Sequence, residues 1–373
     1  MRRTKKRSGL NIFNKLVLGA NILAVISLLI AYLASFINPN SFWPPAFFGL
    51  AYPAILLVNL VFIIYWLISY PRFALLSFVT ILVGWNVLTS YIGFRESSGI
   101  MVPKSSDTFI RVLTYNVHNF KQFGDKNDKF TKDQILDIIR KEQPDVLCFQ
   151  EFFSRQRGEY DFRKLITEIM KSNHYFFKPT IDNGYEATGT AIFSKYPIVN
   201  AGKVLFSKEM NWNEAVYVDV NTGKKIFRVY NVHFQSINFQ PEDYQYLKKV
   251  KKEIDTDVES SRKIGSRLKN AFIKRASQVQ ILRAHADSCT TPYIIAGDFN
   301  DTPISYTAKT IFKGLQNGFH EKGSGFGITY NGAFPNFQID YIVTSPEFTI
   351  KNYLIVKKKL SDHYPVRTDL ELK

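Results

Sequence analysis

Three stretches without a single Asp, Glu, Lys or Arg, at residues 17–37, 46–70 and 73–92, constrain this chain more than anything else in it. A helix needs about 20 apolar residues to cross the hydrocarbon core of a bilayer. Each stretch has that length, and three in succession are poor candidates for buried helices of one soluble domain. A cleaved secretory leader also fits poorly, because the first stretch is longer than a signal core and two more follow it. The sequence therefore predicts a three-helix transmembrane anchor over residues 16–93.

Charge orients that anchor. Arg2, Arg3, Lys5, Lys6 and Arg7 lie in the basic segment 1–15, the loop 38–45 is uncharged, and Pro71-Arg72 returns one positive charge to the starting side. Lys/Arg-rich flanks stay cytoplasmic. The expected N-terminus is cytoplasmic, and after an odd number of spans the rest of the chain is extracytoplasmic, periplasmic in a bacterium. Trp43, Trp66 and Trp85 fall at or near span ends, where aromatic belts form. Residues 94–107, with Gly, Ser and Pro punctuation around them, read as a linker.

Beyond the linker the composition changes. Residues 1–96 hold eight basic residues against one acidic residue, Glu96, whereas 97–373 hold 40 against 31. This segregation excludes a single soluble domain. A 15% aromatic content with 20 Gly and 15 Pro excludes a disordered or collagen-like chain. Two cysteines, Cys148 and Cys289, exclude a disulfide framework and a Cys-rich zinc module, and both adjoin apolar runs as buried thiols do.

Residues 108–373 read as a separate α/β domain. Strands are expected at 110–117, 145–149, 189–193, 215–220, 226–234, 293–296 and 339–343, with one more after His363. Helices are expected at 131–141, opened by a Thr131/Gln134 capping box, around 162–169, and along a charged stretch from about 242 to 286. Tyr115-Asn116-Val117-His118 recurs as Tyr230-Asn231-Val232-His233, a match that either arises by chance or marks two equivalent strands of a duplicated sandwich.

Polar residues gather where apolar strands end: Gln150-Glu151, then Gly297-Asp298-Phe299-Asn300, Asp340 within Ile339-Asp340-Tyr341-Ile342, and Ser361-Asp362-His363-Tyr364-Pro365. A carboxylate in an apolar strand costs free energy unless it is paired or coordinated. Four such positions on separate strands are therefore candidates for one site.

Together with Tyr-Asn-Val at Asn116 and Phe-Gln-Glu at Glu151, these motifs make the chain resemble the endonuclease/exonuclease/phosphatase superfamily over roughly residues 108–373. That superfamily includes deoxyribonuclease-I-like nucleases, abasic-site endonucleases, neutral sphingomyelinases and inositol-polyphosphate phosphatases. The stretch 189–198 and Arg275 with Gln278 fit the same pattern. The resemblance implies a four-layered α/β sandwich, here preceded by three transmembrane helices. It also implies hydrolysis of a phosphate ester with a divalent cation, usually Mg2+, with Mn2+ as a substitute. Glu151, Asn116 and Asp362 match the metal site. Asp298 matches the group that orients or deprotonates the attacking water, and Asn300 and His233 those that position the phosphate. His363 matches the second histidine, with Asp340 fixing its tautomer.

These roles make physical sense. The developing charge of a phosphodiester transition state needs a cation and imidazolium donors, and the attacking water needs a base within reach. His118, two residues past Asn116, is expected on the same strand face, with a metal or substrate role or a structural one. Glu186 is a looser candidate to support His233, while His174, His285 and His320 read as surface or packing residues. Gln338 stands where relatives often carry an arginine. The lysine-rich run between Gln235 and about Asn270 either contacts an anionic partner or is a solvated helix face balanced by its acids. Phe120, Phe123, Phe152, Phe153 and Trp212 either dip into a membrane interface or belong to the core.

The expected function is a membrane-anchored, metal-dependent phosphodiesterase, nuclease-like in its substrate. A phospholipid or sphingolipid phosphodiesterase or phosphatase acting at the membrane surface is the alternative. A catalytically inactive scaffold is the reading from another class.

Overall fold

The computed structural model describes residues 10–95, 104, 106, 108–121, 129–207, 213–253, 257–332 and 334–373. The basic residues Arg2 to Arg7, most of the expected linker, Phe123 and Trp212 lie outside them, as do the side chains of Lys248, Lys251 and Lys252. The chain forms two compact units, Met1–Leu88 with Ile304–Tyr306, and Thr89–Pro303 with Thr307–Lys373.

The first unit contains α1 (Ile12–Leu33), α2 (Pro44–Leu50), α3 (Tyr52–Ser69), α4 (Ala74–Val83) and α5 (Trp85–Tyr91). Asn11 caps α1 by accepting from the Asn14 amide at 2.8 Å. Two helices, Ile12–Leu33 and Tyr52–Ser69, are long and apolar enough to cross a membrane. The third expected span is not one straight helix: Pro71–Val83 and Trp85–Tyr91 meet at a 69° bend, so the count is two, or three if the bent pair is one span. The break has a local cause. A Cβ at Gly84 would lie 2.1 Å from the Tyr32 ring, and the Tyr32 hydroxyl donates to the Thr80 carbonyl at 3.2 Å, where the Gly84 amide also bonds. The expected second span also divides, at Ala51, into α2 and α3.

Polar side chains knit the bundle. The Asn21 amide donates to Ser77 at 2.7 Å, Ser77 donates to the Asn59 carbonyl oxygen at 2.8 Å, and the Trp66 indole donates to Asn21 at 2.9 Å. All four residues have no exposed surface, so each polar group is satisfied inside an otherwise apolar bundle. Trp66 is thus a core residue and not part of an interfacial belt.

The second unit begins with β1 (Ile92–Phe94), continues with β2 (Ile110–Asn116), α6 (Lys129–Glu142), β3 (Val146–Arg155), α7 (Phe162–Met170), β4 (His174–Asp182), β5 (Glu186–Ser194), β6 (Ile198–Val204) and β7 (Glu214–Asn221), and reaches β8 (Ile226–His233). It then adds α8 (Pro241–Glu253), α9 (Val258–Asp287), β9 (Tyr293–Asp298), α10 (Tyr306–Phe312), β10 (Gln316–Asn317), α11 (Gly318–Lys322) and β11 (Ser324–Phe326). The last strands are β12 (Asp340–Thr344), β13 (Phe348–Ile355) and β14 (Val366–Leu372). Two six-stranded mixed sheets result, ordered β13-β14-β2-β3-β5-β4 and β10-β12-β9-β8-β7-β6. Facing residues such as Val112, Cys148, Ile192, Val218, Val229 and Ile294 form the core between them. Helices α6 and α7 cover the outside of the first sheet through Ile135, Ile139, Phe162 and Ile166.

The repeated tetrapeptide marks equivalent strands. β2 and β8 each open a crossover to a parallel neighbour, β2 to β3 and β8 to β9, one in each sheet. Several expectations need correction. Thr131 lies inside α6 and is fully buried, so it is no N-cap. Residues 92–94, the end of the expected anchor and the first residue of the expected linker, form a strand paired with 324–326. Of the two alternatives for Phe120, Phe152 and Phe153, the core holds, with Phe120 stacked on Phe162 at 3.6 Å. Cys289 is only half-buried; Cys148 is fully buried, and both are free thiols.

Candidate active site

The sheets bring the polar motifs to one end. In the second sheet β12, β9 and β8 lie side by side, with Asp340 opposite Asp298 and Asp298 opposite His233, so three functional residues form a row across adjacent strands. In the first sheet Asn116, the last residue of β2, is opposite Gln150, next to Glu151. The loop before β14 delivers Asp362 and His363.

Backbone geometry sharpens the cluster. Gly297 precedes Asp298 with φ +141°, and a Cβ there would lie 2.0 Å from the Val232 carbonyl, so only glycine lets β9 approach β8 so closely. Glu151, Asn300, His118 and Asn119 all have positive φ, at 50°, 53°, 43° and 55°. Non-glycine residues in that region store strain of order 1–3 kcal/mol each and gather at functional sites. Glu151 does not follow the end of a strand, as the sequence suggested. It lies inside β3, at an irregularity between Phe149 and Phe152 that swings its carboxylate toward the site.

The contacts join every expected residue. The Asn116 amide donates to Glu151 at 3.3 Å and to Asp298 at 3.2 Å. His233 Nε2 lies 3.9 Å from Glu151 and 3.7 Å from Asp298, and His363 Nε2 lies 3.7 Å from Asp298. His363 Nδ1 sits 2.9 and 3.0 Å from the two Asp340 oxygens. The Asn300 backbone amide donates to Asp298 at 2.8 Å, and its side-chain amide donates to Asp298 at 3.1 Å and to the Phe234 carbonyl at 3.0 Å.

His118 is not on the β2 face, because the strand ends at Asn116 and the chain turns. The turn nevertheless places its Nδ1 3.3 Å from Glu151 and 3.9 Å from Asp362. Glu186, in contrast, pairs with Arg155 at 3.5 Å and does not support His233. His174 and His320 are exposed, and His285 bonds the Tyr230 hydroxyl at 2.9 Å.

The electrostatics separate the groups by task. Burial lifts the Asp298 carboxyl to about 6, with the Asp340 charge adding and the nearby His363 and His233 opposing. Burial also works against a charge on His363, but Asp340 and Asp298 override it and hold this imidazole protonated well above its ordinary range. Burial pushes Glu151 up too, yet the His118 hydrogen bond and the His233 charge bring it down to about 2. The hydrogen bond to Glu151 raises His118. Asp298 therefore has a base's poise, His363 that of a cationic donor and Glu151 that of a permanent anion.

The donor set fits a hard divalent cation. Glu151 and Asp362 offer carboxylate oxygens 3.3 and 3.9 Å from the same atom, His118 Nδ1, so the two carboxylates border one space. One or two carboxylates with water and substrate oxygens is what Mg2+ accepts. Ligand atoms of Asp298, Asp340 and His363 also lie within 4.8 Å of one another. His363 Nδ1 is committed to Asp340, however, which makes this trio a base beside a donor dyad.

Sequence reasoning missed the support beneath the site. Gln150, fully buried, donates to Asn231 at 2.5 Å and to Thr114 at 3.0 Å, and the Asn231 amide donates to the Phe149 and Ala191 carbonyls at 2.9 Å each, so this network ties the two sheets together. The Ser361 hydroxyl donates to the Asn116 carbonyl at 2.8 Å. Thr329 accepts from the Ile339 and Asp340 amides at 3.0 Å each. Arg275 donates to Asp301 at 3.0 Å and to the Gln235 carbonyl at 2.9 Å, while Gln278 accepts from the Gln235 amide, so this motif pair holds the loops after β8 and β9. Gln338 is buried and contributes no cation near the site.

Residues 113–363 match the endonuclease/exonuclease/phosphatase family, and the chain belongs to it. Members of that family are hydrolases of phosphate esters. Residues 14–91 match a family described only as a domain of unknown function. No curated protein sequence matches. Among solved structures, an endonuclease/exonuclease/phosphatase from Beutenbergia cavernae is 20% identical, covers 71% of this chain and 72% of its own, and has a TM-score of 0.52. One from Bacteroides vulgatus is 18% identical over 71% of this chain and 99% of its own, with a TM-score of 0.51. A family protein from Bacteroides thetaiotaomicron is 17% identical over 71% and 98%, with a TM-score of 0.50. At such identities the likeness is one of fold.

Proposed function

We propose that this protein is a membrane-anchored, divalent-metal-dependent phosphodiesterase with a nuclease-like substrate. The observation that carries the reading is the Asp340–His363 pair facing Asp298, with Asn116 joining Asp298 to Glu151. Asp298 accepts a proton from the attacking water. His363, kept protonated by Asp340, and His233 donate to the phosphoryl oxygens as charge builds. Glu151 and Asp362, with Asn116, would hold Mg2+ or Mn2+, which supplies charge neutralisation at the phosphate. Asn300 braces Asp298 through its backbone and side-chain amides. The complete set argues against an inactive scaffold.

A lipid substrate is the second reading, favoured by the apolar helices that precede the catalytic unit. With the basic flank on the cytoplasmic side, three spans put the catalytic unit outside and two put it inside; we take the bent pair as the third span, which gives the extracytoplasmic side. The full chain in detergent, incubated with supercoiled plasmid and Mg2+, tests the substrate. Nicking that falls at least about 100-fold in Asp298→Ala supports a nuclease. Absence of nicking, with headgroup release from phospholipid vesicles, supports the second reading. Activity within tenfold of wild type in both Asp298→Ala and His363→Ala refutes the mechanism.

A further inference from the structure

The ladder between β3 and β5 breaks where Glu151 stands, and a carboxylate from the opposite sheet closes the gap. Phe149 pairs with Ala191 and Phe152 with Gly189, so Thr190 alone faces both Gln150 and Glu151. A bulge of this kind takes backbone groups out of the ladder, and buried ones need other partners. Here the second sheet supplies them. The Asn231 side chain of β8 donates to the Phe149 and Ala191 carbonyls at 2.9 Å each, and the Glu214 side chain of β7 accepts from the Thr190 amide at 3.1 Å. Glu214 belongs to none of the strand-end motifs. It and Thr190 are both fully buried, so no water stands in for that bond. The Lys203 ammonium of β6, partly open to solvent, pairs with the same carboxylate. Within its own sheet Glu214 stands directly opposite His233. One buried side chain thus neighbours the first histidine along the sheet and ties down the backbone across from Glu151.

We propose that Glu214 is a positioning residue, which through the Thr190 amide holds the β3 bulge in the shape that turns the Glu151 carboxylate toward the site. Glu151 has φ +50°, a setting that a regular strand does not adopt. A slip of one residue that restored a regular ladder would send the Glu151 side chain to the opposite face of the sheet. The Thr190 amide can serve Glu214 or a β3 carbonyl, but not both well, so an acceptor fixed from the other sheet opposes that slip. Lys203 offsets the charge that Glu214 brings into the interior. A partner that fixes a ligand without touching the ion contributes strongly to the affinity of a metal site. The functional consequence rests on the metal-binding reading of Glu151; the clamp itself rests on the hydrogen bond alone.

Glu214→Gln and Glu214→Met separate the clamp from the charge. Both remove the anion beside Lys203 at similar side-chain length, but only glutamine keeps a carbonyl oxygen for the Thr190 amide. The full chain in detergent is titrated with Mn2+ by calorimetry, and hydrogen exchange is followed by mass spectrometry in peptides covering β3 and β5. The expected result is Mn2+ affinity about tenfold weaker in Glu214→Met and within about threefold of wild type in Glu214→Gln, with faster exchange of both strands in Glu214→Met alone. Affinity and exchange in Glu214→Met within about twofold of wild type overturn the inference. So does Mn2+ binding as weak in Glu214→Gln as in Glu214→Met, which assigns the effect to charge. If Glu214→Met does not melt cooperatively, Glu214→Gln decides alone: exchange at the wild-type rate supports the clamp and faster exchange overturns it. A wild type that binds no Mn2+, with exchange quickened in Glu214→Met and restored in Glu214→Gln, supports the clamp and counts against the metal reading alone.

Discussion

Replacing Asp298 by asparagine should stabilise the metal-free protein while abolishing its activity, and the gain should depend on pH. The Asp298 carboxyl titrates near 6 in the folded chain against an ordinary value of 3.8, because it is buried beside Asp340. The folded state therefore holds this proton more tightly than the unfolded state. Below about pH 4 both are protonated and the wild type carries no penalty. Between pH 4 and 6 the penalty grows, and above 6 it is constant. A gap of two pKa units corresponds to about 3 kcal/mol. Loss of the anion also weakens the support of His363, which trims the net effect to about 2 kcal/mol. At about 2–4 °C per kcal/mol for a unit of this size, the Asp298→Asn variant should melt roughly 4–8 °C higher at pH 8 than wild type, relative to the difference at pH 4. The full chain in detergent with EDTA, followed by near-ultraviolet circular dichroism from pH 4 to 8, measures it. A difference that is flat with pH, or a wild type that gains on the variant as pH rises, would falsify the assignment of Asp298 as a strained buried base.

Asp340→Asn should lower kcat by about 100- to 10,000-fold with little change in KM, since it removes the partner that fixes and charges His363; steady-state kinetics decide this. EDTA should abolish turnover and Mg2+ or Mn2+ restore it, whereas activity that survives exhaustive chelation contradicts the metal site. Gln150→Leu should cost about 2–3 kcal/mol by leaving Asn231 and Thr114 buried without their partner, as read from denaturant unfolding of the catalytic unit. Asn21→Leu should destabilise the apolar bundle by about 1 kcal/mol in detergent-titrated unfolding, because the Trp66 indole and Ser77 both lose it.

The legible part of this molecule was the part in which sequence pattern and local geometry agree. Alternation and strand-end motifs located β2, β8, β9 and β12, and with them Asn116, His233, Asp298 and Asp340. Six strands went unseen: the short β1, β10 and β11, and the longer His174–Asp182, Ile198–Val204 and Phe348–Ile355. The three longer ones are edge strands, β4 and β13 of the first sheet and β6 of the second, and each carries a register irregularity that breaks the two-residue alternation. The bend at Gly84 was invisible because it depends on Tyr32, about fifty residues away in sequence. His118 was aimed wrongly because its turn runs through positive φ, which no pattern of residue types announces. The lysine-rich insertion resolved only in part: Lys263 pairs with Glu259 at 2.7 Å and Arg267 with Asp243, which favours the balanced face at those positions.

The strand order carries a consequence for how activity arises during synthesis. β14 occupies an interior place in its sheet, with β2 on one side and β13 on the other, although about 250 residues of chain separate it from β2. Neither β2 nor the polypeptide end that carries His363 can reach its final setting until β14 has left the ribosome. Pairings so distant in the chain are slow to form and late to be secured. The sheet that carries Asn116 and Glu151 thus stays open throughout translation, and the cluster with Asp298 and His363 is assembled only as that sheet closes.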